Sequence, residues 1–91
     1  MPNFKILVTD SDTDVERYFA KTAADLSPSF LRGPLTEENA AEARDVDAIC
    51  IDITTTLTAS LMRELPKLKF ICTRSTGYDH IDLKEAERRG I

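Results

Sequence analysis

Short runs of consecutive apolar residues alternate with longer polar stretches of helical period along this chain. The first run, Lys5-Ile-Leu-Val-Thr9, is apolar without alternation, which suits a strand covered on both faces. Asp10-Ser-Asp-Thr-Asp14 follows, and Ser11, Asp12 and Thr13 are all good helix N-caps. Thr13 with Glu16 reads as a capping box opening a helix from about Asp14 to Asp25. Val15, Phe19 and Ala23 share a face of it, with Tyr18 and Leu26 beside them, and Pro28 stops it. Phe30-Leu-Arg32 is a weak strand before the Gly33-Pro34 turn. Thr36 is placed to cap an alanine-rich helix through Ala40, Ala41 and Ala43, with Glu37 and Glu38 in its first turn. Val46 to Ile53 holds a third strand centred on Ala48 to Ile51. Thr54 to Thr56 is a polar loop at its carboxyl end. Thr58 caps a helix with Leu61, Met62 and Leu65 as its stripe, and Leu57 and Met62 are spaced as a hydrophobic staple. That helix ends at Pro66. A fourth strand runs from Leu68 to Thr73 into Arg74-Ser-Thr-Gly77. Asp82 and Glu85 read as a capping box for the last helix, with Arg88 and Arg89 in its final turn and Gly90 as its C-cap.

Strand and helix alternate four times. This predicts an α/β fold: a doubly wound parallel sheet of about four strands, with right-handed crossovers and helices on both faces. There is no repeat, linker or low-complexity segment, so residues 1–91 read as one unit. The chain stops where a fifth strand would begin, and the expectation is a piece of a longer protein.

Composition narrows the function classes. The 91 residues carry a formal charge of −4 without a basic cluster, which argues against nucleic acid as a partner. The apolar runs are too short to span a bilayer, and the opening Met1 to Lys5 leads directly into strand pattern without a signal peptide. A cytoplasmic location is the expectation. Cys50 and Cys72 each lie in a predicted strand and read as buried reduced thiols rather than a disulfide or metal pair. Their spacing matches no zinc pattern, and His80 is the only histidine. No metal site is expected.

The chemistry-bearing residues gather at one edge. In open α/β sheets, ligands bind outside the carboxyl ends of the strands. Three loops fall there: Asp10 to Asp12, Asp52 to Thr56, and Arg74 to Gly77. Capping accounts for the first two. The third needs another explanation, because its helix is capped downstream at Asp82. Ser75, Thr76 and Gly77 are therefore the candidate ligand loop, its small residues able to bring backbone N–H groups to an anion. Gly77 suits a backbone angle that other residues avoid. Thr54 and Tyr78 are candidate pocket residues. His80 reads as a loop residue with a local hydrogen bond rather than a catalytic base. The chain has three glycines and no Gly-x-Gly-x-x-Gly, so no cofactor-binding residue is assigned within it, and no serine or cysteine sits in a recognisable nucleophile setting.

Leu65-Pro-Lys-Leu-Lys-Phe-Ile-Cys-Thr-Arg-Ser-Thr-Gly-Tyr-Asp-His-Ile-Asp-Leu83, followed by Ala86-Glu-Arg-Arg-Gly-Ile91, closely resembles the D-isomer-specific 2-hydroxyacid dehydrogenases. Val46-Asp-Ala-Ile and Thr54 to Leu57 also fit. The resemblance is specific from Leu65 onward and weak before Asp45. It implies the flavodoxin-like substrate (catalytic) domain of an oxidoreductase acting on a 2-hydroxy or 2-keto acid. Backbone N–H groups matching Ser75, Thr76 and Gly77 would hold the substrate carboxylate. It further implies NAD or NADP on a separate Rossmann domain after residue 91, no cofactor on this chain alone, catalytic residues outside it, and dimers only for the full-length protein. Two other readings remain. One is a receiver-type phosphoacceptor domain, with Asp10, Asp12 and Asp52 binding Mg²⁺ and Thr73 or Ser75 after the fourth strand; the usual Met-Pro after its acceptor is Thr-Thr-Thr here. The other is a catalytically inert binding module on the same fold.

Overall fold

The computed structural model describes residues 4–22, 25, 27–74, 77 and 80–91. Strands β1 (Ile6–Val8), β2 (Ser29–Phe30), β3 (Ala48–Ile51) and β4 (Phe70–Thr73) form a parallel sheet in the order β2-β1-β3-β4. This is the expected doubly wound order, and its chain reversal lies between β1 and β3. Helices α1 (Thr13–Thr22), α2 (Ala59–Arg63) and α3 (Leu83–Arg88) connect or follow the strands. Among the described residues, no helix is long and apolar enough to cross a membrane.

Register divides the side chains between the faces. Leu7 pairs with Ile49, and Ile49 with Ile71, so these residues share one face. They pack with Leu57, Leu61, Met62, Leu65, Leu68 and Ala86 into the core. Each leucine- or methionine-sized side chain buried there contributes about 1.5–3 kcal/mol. Val8, Phe30, Cys50 and Cys72 line the opposite face by the same register. There α1 sets Phe19 edge-on against Phe30, with ring centroids 6.1 Å apart. No residue of α1 is fully buried, and Tyr18 is exposed. The two faces are thus unequally covered. Cys50 is buried, but Cys72 is exposed, contrary to expectation: β4 is an edge strand here, and α1 sits towards the other edge.

The helix ends follow local chemistry, with corrections. Asp12, not Thr13, caps α1, its carboxylate accepting the Val15 N–H at 2.8 Å. Glu16 makes no reciprocal capping contact; Arg32 grips it through Nε and Nη2, both at 3.2 Å. Ala23 and Leu26, expected on α1, lie outside the described residues. Around Thr36 the expected α-helix is a 3₁₀ turn, Ala40–Ala43. The Asn39 side chain accepts from the Thr36 N–H and donates to the Pro34 carbonyl, so it ties the segment back before a helix can start at Thr36. Thr58 and Asp82 do cap α2 and α3, accepting the N–H groups of Leu61 and Glu85. Glu85 does not complete a box; its carboxylate pairs with Arg88, which holds it below the usual range against the opposing effect of burial. Arg89 donates to the Met62 and Leu65 carbonyls at the end of α2. Gly90, at φ +74°, closes α3, and the Ile91 N–H reaches the Ala86 carbonyl at 2.8 Å.

These caps make a graded prediction. Thr58→Ala or Asp82→Ala lowers unfolding free energy by about 1 kcal/mol each. Thr36→Ala, which removes no helix cap, stays within about 0.5 kcal/mol. Urea denaturation of the three variants at unchanged m-value checks the ranking.

Candidate functional site

The carboxyl edge of the sheet is a polar plug beside a hollow. Asp10 leaves β1 in the left-handed region, at φ +54°, where a non-glycine residue is uncommon. Its N–H reaches the Gly33 carbonyl at 2.8 Å. Its carboxylate accepts from the hydroxyls of Thr9 and Thr55, each at 2.8 Å, from that of Thr54, and from the Asp52 N–H at 3.2 Å. Thr9 and Thr55 are fully buried. Burial pushes the Asp10 carboxyl up, but the three hydroxyls and the backbone N–H outweigh it and hold the group below the usual carboxylate range. Asp10 therefore binds the loop after β3 to the end of β1.

Arg74 completes the plug. As β4 ends, its N–H reaches the Ile51 carbonyl at 2.8 Å. Its guanidinium crosses the β1–β3 reversal and donates to the carbonyls of Thr9 at 2.7 Å, Asp10 at 3.3 Å and Cys50 at 3.3 Å. The Asp52 carboxylate lies 4.0 Å from its Nε. In this fold the reversal is where a phosphate-bearing ligand settles on a glycine-rich turn. Here the turn is Thr9-Asp10-Ser11-Asp12, with a carboxylate and a guanidinium filling the crevice. These residues do not fit the pyrophosphate of a dinucleotide.

The hollow lies on the other side of β3. It has a volume of about 360 Å³ and is lined by Ile53, Thr56, Gly77 and His80. Its two walls are stitched together: the Leu57 N–H reaches the His80 carbonyl at 2.7 Å, and the Asp82 N–H the Leu57 carbonyl at 2.9 Å. Thr73 Oγ1 and His80 Nε2 are 3.1 Å apart, so His80 does make the expected local hydrogen bond. Among the described residues, no acid lines this hollow. A larger one, about 730 Å³, lies at the amino edge of the sheet, but there Asp25, Glu42 and Asp45 face Lys5, the one cation among its described lining residues. That balance disfavours an anionic ligand, so the smaller hollow is the better candidate.

Gly77 is the one residue of the candidate loop within the described set; Ser75, Thr76 and Tyr78 lie outside it. A Cβ at Gly77 meets nothing within 4 Å among the described residues. Thr54 turns to Asp10 and lines a separate hollow of about 240 Å³, whereas Thr56 borders both. Ile53, Thr56 and Arg74 were not singled out as site residues from sequence. Their position in loops at the carboxyl edge was the available signal.

The three acids of the phosphoacceptor reading do not converge. Asp12 caps α1, Asp10 is enclosed by hydroxyls, and Asp52 faces Arg74 and the Ile53 N–H. Among the described residues, no group of three or more histidine, cysteine or acidic side chains is placed to hold a metal ion.

The sequence profile described as "D-isomer specific 2-hydroxyacid dehydrogenase, catalytic domain" matches residues 6–91. D-lactate dehydrogenase kk1H of Curvularia clavata is 44% identical over 65 residues, covering 69% of this chain and 19% of that protein. Glyoxylate reductase of Thermofilum pendens is 45% identical over 58 residues, covering 64% of this chain and 17% of that protein. The matched segments therefore span less than a fifth of the length of these curated relatives. Among solved structures, D-lactate dehydrogenase from Aquifex aeolicus, complexed with NAD and lactic acid, superposes with a TM-score of 0.87 at 29% identity, covering 96% of this chain and 26% of that one. The apo D-lactate dehydrogenase of Escherichia coli matches with the same TM-score at 24% identity, covering 97% and 30%, a likeness of fold. A match over residues 6–91 places the chain in its family: it belongs to the D-isomer-specific 2-hydroxyacid dehydrogenases, as part of their flavodoxin-like catalytic domain.

Proposed function

We propose that this chain is the substrate-side domain of an NAD-dependent oxidoreductase that interconverts a D-2-hydroxy acid and its 2-keto acid. The observation that carries the proposal is the hollow bordered by Gly77 at the carboxyl edge of β3 and β4, whose described lining residues, Ile53, Thr56, Gly77 and His80, include no acid. Its position suits a small carboxylate held by backbone N–H groups of Ser75, Thr76 and Gly77, with Tyr78 beside them. A charged acceptor gains most from donors aimed in advance. Thr56 and His80 supply the polar wall, and Ile53 the apolar one.

NAD supplies the hydride acceptor or donor when bound, and the crevice of this chain is filled by Asp10 and Arg74. The dinucleotide therefore belongs on a separate Rossmann domain following residue 91. The groups that move the substrate proton belong outside this chain as well, and residues 1–91 alone are inactive. Dimerisation belongs to the full-length protein, and a cytoplasmic location accompanies this reading. The lactate and glyoxylate named for the relatives set the substrate size to test first.

The test is a spectrophotometric assay of the full-length protein. It is expected to oxidise D-lactate with NAD or reduce glyoxylate with NADH, to discriminate against L-lactate, and to lose all activity when cut back to residues 1–91. Turnover by residues 1–91, or no turnover by a folded full-length protein with any small 2-hydroxy or 2-keto acid, contradicts it.

A further inference from the structure

We infer that Cys50 and Cys72 form a single dithiol site that a two-electron oxidant of the hydroperoxide class converts into a reversible intrachain disulfide. The two residues are direct partners in the β3–β4 register, so their side chains leave the same face of the sheet. Neighbouring strands lie about 4.8 Å apart. That spacing falls inside the roughly 4.4–6.8 Å range of Cα separations that a disulfide bridges. The two thiols differ in exposure: Cys72 is open to solvent and Cys50 is buried.

This asymmetry assigns the order of events. The peroxide oxygen is transferred to the Cys72 sulfur, giving a sulfenic acid and releasing an alcohol or water. The Cys50 sulfur then attacks the Cys72 sulfur, the S–S bond forms, and the sulfenic oxygen leaves as water after taking up the Cys50 proton. One peroxide is reduced for each pair of thiols oxidised. Burial pushes the Cys50 thiol up, which protects it from direct oxidation, while Arg74 Nη1, 3.5 Å from its sulfur, supports the thiolate at the moment of attack. A bridge at Cys72 is exposed, and exposed disulfides are the easily reduced, reversible kind. The inference does not depend on the substrate reading.

The test exposes the full-length native protein to limiting hydrogen peroxide, blocks free thiols, and maps peptides by mass spectrometry without reduction. The expected result is a peptide joining Cys50 to Cys72 that dithiothreitol releases. In Cys72→Ser, Cys50 stays a free thiol under the same exposure. In Cys50→Ala, which avoids a polar group in the buried position, Cys72 accumulates as sulfenic and then sulfinic acid. Stepwise oxidation of Cys72 in the unsubstituted protein while Cys50 remains free overturns the inference. So does oxidation of Cys50 at an unchanged rate in Cys72→Ser.

Discussion

Asp10→Ala lowers the unfolding free energy by about 2–4 kcal/mol, because several donors lose a charged acceptor at once. The hydroxyls of Thr9, Thr54 and Thr55 and the Asp52 N–H all converge on that carboxylate. Thr9 and Thr55 are fully buried, so water does not replace the lost acceptor without opening the sheet edge. Asp10→Gly separates the two contributions. It relieves the φ of +54° but leaves the same donors stranded, so it recovers only the backbone part. Asp10→Asn keeps one acceptor oxygen and loses about half as much as alanine. The same carboxylate sets a pH dependence. Its folded pKa lies below its unfolded value of about 3.9. Its contribution is therefore complete above that unfolded value and is lost as pH falls through the folded one. Urea denaturation at pH 7 and again between pH 4 and 2 shows a gap between wild type and Asp10→Asn that narrows with acid. A gap independent of pH contradicts the role given to the charge.

Arg74→Ala lowers kcat/KM of the full-length enzyme by about 100-fold, the scale of loss that a 1 Å displacement of a positioned group produces. Arg74 stands where β4 passes into the Ser75–Gly77 loop. Its side chain fastens that point to the carbonyls of Thr9, Asp10 and Cys50. Without the guanidinium, nothing else among the described contacts joins the start of this loop to β1. Arg74→Lys keeps the charge but lacks the planar fork that reaches several carbonyls together, so it recovers only part of the activity. Steady-state kinetics with thermal unfolding distinguish the roles. A positioning residue changes kcat/KM in protein that is still folded at the assay temperature. If the folded fraction retains wild-type kcat/KM, Arg74 is purely structural. The prediction depends on the proposed substrate loop, and Asp10→Ala tests the plug independently of it.

Strands and core were legible in the sequence because their signals are local and redundant. Ile6 to Val8 and Ala48 to Ile51 are continuous apolar runs, and Leu61, Met62 and Leu65 repeat at helical spacing. Thr58 and Asp82 were legible as caps because each stands directly before an apolar-periodic stretch. The error at Thr36 came from competition: Asn39, three residues on, claims the Thr36 N–H and turns the chain towards Pro34. Glu16 and Glu85 fitted a capping box by spacing, yet each has an arginine partner that it favours over a backbone N–H. The polar plug was the least legible feature. Asp10 meets Thr54 and Thr55 from 44 and 45 residues away, and Arg74 meets Thr9 from 65. Only the sheet order brings them together. The carboxyl-edge rule identified the loops that gather there, but it did not reveal that one group of them seals the crevice while the other borders the hollow.

The central claim is that a substrate carboxylate sits against the loop at Gly77. The direct measurement is a titration of the full-length protein, loaded with NADH and labelled with ¹⁵N-glycine, with oxamate, an unreactive mimic of a small 2-keto acid. The Gly77 amide is expected to shift and saturate with the same apparent Kd as inhibition of turnover, while Gly90, at the far end of α3, stays in place. Saturable binding with the Gly77 signal unmoved, or with the principal shift at Gly33 beside the Asp10 plug, contradicts the account.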